Sequence, residues 1–266
     1  LEEAFTAMPL TYSTYLALEE LLSCQRPRSE GPEHDELLFI IIHQVYELWF
    51  KQLLHELDYL CGRLAAGDLA ASLHTLKRVL TIWKVQVAQV DILETMTPVS
   101  FLSFRSRLEA ASGFQSPQFR ELEILLGKRD RKLLAHLEGT HYFGKVERRM
   151  KEPSLWHRFL EFLAIRGYTL PPEARPVDLE QSNALCPELH PLLIEIYRKG
   201  EDLSQLCERL VDLDEGIQEW RYRHVKMVER TIGKKSGTGG STGADYLKQT
   251  LFQPLFPDLW AIRSEL

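Results

Sequence analysis

Between Leu203 and Gly233 the chain carries a single apolar stripe of helical pitch. A helix patterned this way must bury its stripe against other elements along most of its length. Leu203, Leu210 and Ile217 stand seven residues apart, and Leu206, Leu213, Trp220 and Met227 form a second line of the same spacing. The next place on the first line is His224. Taken alone, a histidine on such a stripe is more often a core residue held by one hydrogen bond than a ligand, because His is only intermediate in its preference for burial.

The same helical period dominates the rest of the chain. The run "EHDELLFIIIHQVYELWFKQLLHELDYL" predicts one long helix from about Asp35, apolar nearly all round at its start and so expected to be deeply buried there. "SLHTLKRVLTIWKVQVAQVDILETM" predicts a second, ending before Pro98. "SPQFRELEILLG" and "SLWHRFLEFLAIRG" each open on a serine and close on glycine, at Gly127 and Gly167, as helices often do. "YTLPPEARP", within a segment holding four prolines between Pro171 and Pro187, reads as an excursion loop. "HPLLIEIYR" and "PDLWAIRSEL" predict further helices, the last starting on Pro257. No strand alternation, internal repeat or interdomain linker stands out, so the expected architecture is one all-α domain over residues 1–266.

Composition excludes several classes. A net charge of -6 with both signs interspersed argues against nucleic acid and anionic membrane partners, and the basic cluster "GKRDRK" reads as solvated surface. The longest purely apolar run, Leu37 to Ile42, is far short of the roughly 20 residues of a membrane span. Cys24, Cys61, Cys186 and Cys207 form no C-x-x-C and read as free thiols of a reducing, cytoplasmic setting. The chain begins at Leu1 rather than methionine, which points to a natural start upstream, and shows no signal or transit peptide.

The histidines then test for a metal. No two of the nine are three or four residues apart, so no helix presents a His pair on one face. The one E-x-x-H, Glu138 to His141, is interrupted by Gly139. A di-iron carboxylate bundle needs that motif on two helices, and zinc patterns are absent. Haem is compatible, since one axial imidazole in an apolar pocket holds it. A second histidine shares the position of His224: Phe39, His43 and Glu47 share one helical face, with His43 polar in an apolar sector. A cofactor-free bundle with two core histidines remains the alternative from another class. The glycine cluster "GKKSGTGGSTG", Gly233 to Gly243, does not match a phosphate-binding P-loop; composition alone favours a solvent-exposed connector, and the functional reading is a flexible closing segment with Thr238, Ser241 and Thr242 as neutral hydrogen-bonding groups.

Seven stretches carry a resemblance: "LTYSTYL", "HDELLFIIIHQVYELWFKQLLHEL", "ETMTPVSFLSFR", "ASGFQSPQFRELEILLG", "EWRYRHVKMVERTIG", "GTGGSTG" and "FPDLWAIRSEL". In this order, from about Leu10 to Leu266, the chain resembles the bacterial tryptophan 2,3-dioxygenases. The resemblance implies an all-α homotetramer, a dimer of dimers, with one b-type haem per subunit. It also implies insertion of both atoms of O2 across the C2–C3 bond of the L-tryptophan indole, giving N-formyl-L-kynurenine, the first step of tryptophan degradation by the kynurenine pathway. It assigns His224 as the axial iron ligand and His43 to the distal side near the indole N–H, beside Phe39. Arg105 pairs with the substrate carboxylate, Thr238 lies near the ammonium, and Ser112 and Gly113 pass close to the haem. Tyr12, Tyr15 and Leu16, within an N-terminal segment of residues 1–20, close the neighbouring subunit's pocket. At position 101 some relatives have a tyrosine whose hydroxyl helps hold the carboxylate. Phe101 keeps the packing surface and lacks that hydroxyl, which places the recognition on Arg105. The nearest related alternative is an indoleamine dioxygenase, typically monomeric and more permissive.

Overall fold

A computed structural model describes residues 10–175, 178–200, 202–235, 237 and 244–266, apart from the side chains of Leu133, Asp245 and Tyr246. All regular structure among the described residues is helical, arranged as one helical domain. Two short helices, α1 (Tyr12–Tyr15) and α2 (Leu18–Leu22), precede a long hairpin of α3 (His34–Ala65) and α4 (Leu69–Leu93). Then follow α5 (Pro98–Arg105), α6 (Pro117–Leu125), α7 (Phe143–Met150), α8 (Leu155–Ile165) and α9 (His190–Lys199). The long α10 (Asp202–Ile232) and the short α11 (Ala244–Lys248) and α12 (Pro257–Ala261) complete the order.

The stripe that opens the sequence reading is buried as its spacing requires. Leu206, Leu210 and Leu213 have no exposed surface, and Leu203, Ile217, Trp220 and Met227 are buried with them. Their main partner is α4, which also packs along α3, so α4 lies between the two longest helices. The buried line of α3, Leu53, Leu57, Leu60 and Leu64, follows the same three-and-four spacing. α6 and α8 pack on α3, α9 and α11 on α10, and α5 touches both α3 and α10. By length and composition alone α3 would suit a membrane span. Its inner face packs on α4, α6 and α8, and its Glu56 is buried in an ion pair with Arg78 at 2.9 Å.

Local chemistry sets the helix boundaries. Thr97 accepts from the Ser100 amide, and Ser116 from the Phe119 amide, each followed by proline in the first turn. α6 ends at Gly127 with φ +98, where a Cβ would stand 2.0 Å from the Asn183 amide nitrogen, so only glycine fits. Asn183 uses that closeness to donate to the carbonyls of Leu126 and Leu255, pinning the α6 end to the C-terminal tail. The tail is held again by Asp214 on α10, whose Oδ2 accepts from the amides of Leu255 and Phe256 and from the Trp260 indole.

Two expectations change. The start of α3 is not deeply buried within one chain: Leu37 is 44% and Ile41 41% exposed, because only the Phe39–Ile42–His43 side turns inward. The cluster "GKRDRK" is not all solvated. Arg129 is buried and donates to the carbonyls of Met150, Glu152 and Leu179, which lack helical partners. The helices α5 and α7 are too short for their periodicity to announce them in the sequence.

The start of α8 is pH-sensitive. His157 Nδ1 accepts from the Ser154 amide at 3.1 Å, so that nitrogen carries no proton. Burial, assisted by Arg129, pushes the His157 pKa from 6.5 down to about 4. An unfolded chain therefore binds a proton that the folded one refuses, so stability from this group is full above pH 6.5 and is lost as pH falls towards 4. Denaturant titrations across that window are expected to show this loss, and His157→Gln to flatten it.

Candidate active site

One cleft is walled by α3, α5, the 106–116 loop, α6 and α10, and leaves about 250 Å³ for the centres of water-sized molecules. Its lining is mostly apolar, with Phe39, Phe50, Leu93, Met96, Phe119 and Met227 among the walls. Into it the fold brings Phe39, His43, Phe101, Arg105, Ser112, Gly113 and His224. Tyr12, Tyr15 and Leu16 are not in this chain's cleft; they stand on its surface, the two tyrosines 76% and 71% exposed. Thr238 lies outside the described residues, as does most of the glycine cluster; Gly237 lines the cleft.

His43 is positioned by its own helix. Its Nδ1 lies 2.7 Å from the Phe39 carbonyl, one turn back. A carbonyl only accepts, so Nδ1 carries the proton and the neutral ring keeps a lone pair on Nε2. Burial lowers the His43 pKa, against the opposing pull of that carbonyl and of Glu47. The Phe39 ring lies 4.1 Å from the imidazole and packs against Phe101 and Phe104 of α5. One helical turn beyond Phe101, Arg105 enters the same cleft at the end of α5.

The 106–116 loop approaches as a tight turn. Ser112 accepts from the Phe114 amide, and its own amide donates to the Gln115 side chain. Gly113 follows with no atom within 4 Å of where a Cβ would sit, so the backbone meets open cleft.

His224 comes from the α10 stripe. Neither ring nitrogen makes a hydrogen bond with a described residue. Burial, then the nearby His43, lowers its pKa to about 4, so the imidazole is neutral at pH 7. Its contact is with Trp220, whose ring lies parallel within 7° at 5.2 Å.

Sequence reasoning missed the floor. Arg120 and Glu123 of α6 meet Arg221 of α10, all three buried. Glu123 accepts from both guanidinium groups and has Lys128 3.9 Å away. Burial and the two arginines lower the Lys128 pKa to about 8, despite Glu123. The i,i+3 spacing of Arg120 and Glu123 is visible in "QFRELEILLG", but the Arg221 partner, 98 residues on, is not.

A sequence model described as tryptophan 2,3-dioxygenase matches residues 2–161 and 189–266. The chain belongs to the tryptophan 2,3-dioxygenase family. It is 58% identical over 257 residues to the tryptophan 2,3-dioxygenase of Herpetosiphon aurantiacus, covering 97% of this chain and 98% of that one. The Anaeromyxobacter dehalogenans enzyme is 59% identical over 261 residues, covering 97% and 96%. That of Caulobacter vibrioides is 44% identical over 264 residues, covering 98% and 100%. Membership makes the chain an oxidoreductase acting on tryptophan and O2. The family is generally haem-dependent, and the cleft suits that group. His224 offers a neutral imidazole free of described hydrogen-bond partners, in an apolar space. No cluster of three or more His, Cys, Asp or Glu among the described residues would hold a bare metal ion.

Glu123 balances the buried cations of the floor. Glu123→Ala is expected to cost about 3–5 kcal/mol of stability, since it strands two buried guanidinium groups. Chemical denaturation read by far-UV circular dichroism would measure it.

Proposed function

We propose that this chain inserts both atoms of O2 across the C2–C3 bond of the L-tryptophan indole to give N-formyl-L-kynurenine, the first step of tryptophan degradation. It does so with one b-type haem per subunit, as a single-domain subunit (residues 1–266) of a cytoplasmic homotetramer. The observation that carries the proposal is the meeting, in one apolar cleft, of two neutral histidines from different helices beside a guanidinium.

Each residue then has a task. His224 would hold the haem iron through one imidazole nitrogen, and Ser112 and Gly113 would let the loop backbone line the same site. The haem, when bound, supplies the iron at which O2 reacts. The protein supplies position, which is a large part of any bimolecular rate enhancement. Phe39 and Phe101 flank the indole with flat apolar surface. The lone pair on His43 Nε2 accepts the indole N–H and selects one orientation of the ring. It is an orienting group, because electrophilic attack at the indole carbon does not require prior removal of that weakly acidic proton. Arg105 grips the substrate carboxylate with a planar two-donor fork that lysine cannot reproduce. With Phe101 bringing no hydroxyl, Arg105 bears that recognition. Thr238 meets the substrate ammonium from the glycine segment, which closes over the cleft and excludes water.

The apolar surface left on one chain supports assembly. Tyr12, Tyr15 and Leu16 project from the N-terminal segment, and Leu37 and Ile41 are exposed on the start of α3. We take these exposed apolar side chains as the surface through which subunits associate. A second subunit covers it and receives the tyrosines at its own cleft.

The activity is tested by supplying haem, L-tryptophan and isotopically labelled O2 and weighing the product, which should carry both labelled atoms. Incorporation of one labelled atom would sink the dioxygenase chemistry. His224→Ala is expected to abolish haem retention, read as loss of the Soret band after gel filtration; a full band would remove the ligand assignment. Arg105→Lys is expected to raise KM for L-tryptophan about 10- to 100-fold, the equivalent of one lost charged hydrogen bond. Steady-state kinetics measures it, and an unchanged KM would refute the carboxylate clamp.

A further inference from the structure

Resting on the assignment of His224 as the iron ligand, we propose that Trp220 is a positioning residue that sets the orientation of the His224 ring by stacking on it. An iron-ligating histidine is usually oriented by an acceptor on its second ring nitrogen, which fixes the tautomer and the plane of the ring. Among the described residues His224 has no such acceptor. The torsion that turns an imidazole about its own axis is broad, so without a partner the plane is undefined. Here the plane is defined by Trp220, one helical turn earlier, whose ring is parallel to the imidazole within 7° at a centroid distance of 5.2 Å. Offset stacking at this separation is a preferred aromatic geometry.

Trp220 can serve as the reference because it is itself clamped. It is buried and meets rings from three other helices. Tyr46 and Phe50 of α3 lie 6.2 and 6.3 Å away, Trp83 of α4 6.0 Å and Phe119 of α6 5.1 Å. Three of these four contacts are edge-on, which blocks rotation of the indole in its slot. The wall that orients the axial ring is thus built from α3, α4 and α6 together. The arrangement also leaves the imidazole a neutral donor, since no described carboxylate or carbonyl draws on its second N–H.

The test uses full-length haem-loaded protein in three forms: Trp220→Leu, Trp220→Phe and the control Phe159→Leu, which opens the core on α8, where the ring packs on Trp156. The readouts are the iron–nitrogen stretching band of the reduced protein, the rhombicity of the oxidised high-spin electron paramagnetic resonance signal, and the rate of haem loss to apomyoglobin. Trp220→Leu is expected to broaden the band, change the rhombicity and speed haem loss about 10-fold or more, the usual range for removing a group that orients a ligand. Trp220→Phe keeps a flat face and should restore the band, while Phe159→Leu should lower stability with the wild-type band intact. If Trp220→Leu does not fold, Trp220→Met fills the volume without a flat face and gives the same comparison. A wild-type band and loss rate in Trp220→Leu or Trp220→Met would overturn the proposal. An equal change in Phe159→Leu would overturn it too, by showing a packing effect alone. If His224→Ala keeps the wild-type band, the ligand assignment has failed, and the positioning role falls with it.

Discussion

Most of this molecule depends on the packing of α10 against α4. It buries a continuous line of leucines and then, at the end of the same stripe, must accommodate His224. The leucines exclude water and fix the rotation of α10 about its axis. That rotation decides where the imidazole points. Because α4 also packs along α3, the face of α3 that carries His43 is set relative to α10 by the same contacts. Two histidines far apart in the chain face one space because a single intervening helix registers both of their helices. The aromatic cluster of Tyr46, Phe50, Trp83, Phe119 and Trp220 is where this registration is tightest.

Electrostatics of the cleft follows from burial of its titratable groups. Burial lowers the proton affinity of both histidines, and His43 nearby further disfavours a proton on His224. A neutral imidazole is what an axial ligand and an acceptor of an N–H both require. The floor follows the opposite logic. Arg120, Arg221 and Lys128 are kept close together by a single carboxylate, Glu123, which ties α6 to α10. The positively charged groups of the cleft therefore sit at fixed places in its wall, and its centre is left to apolar side chains.

The 106–116 loop and α5 show how short segments acquire function from their anchors. α5 is held at its start by Thr97 and Pro98 and by burial of Phe101 and Phe104, and this delivers Arg105 at its last residue. The loop then turns at Ser112 and Gly113 and is caught by Ser116 at the head of α6. Relatives at 44–59% identity cover nearly the whole chain, so the likeness runs through these segments and is not confined to a local motif.

How much of this was legible beforehand differs by level. Periodicity alone identified the long helices, the buried face of α10, the odd placement of His43 and His224, and the stops at Gly127 and Gly167, because these depend on residues within a few turns of one another. The resemblance named Arg105, Ser112 and Gly113, which no spacing rule picks out. Tertiary structure alone decided that these residues share one cleft, that Glu123 pairs with Arg221 across 98 residues, and that Arg129 is buried among carbonyls. It also decided that the start of α3 lies open on the single chain. The physical reason is common to all of them. Helical pitch dictates which side chains lie on one face of a helix, but which other face meets it is set by how the whole set of helices packs.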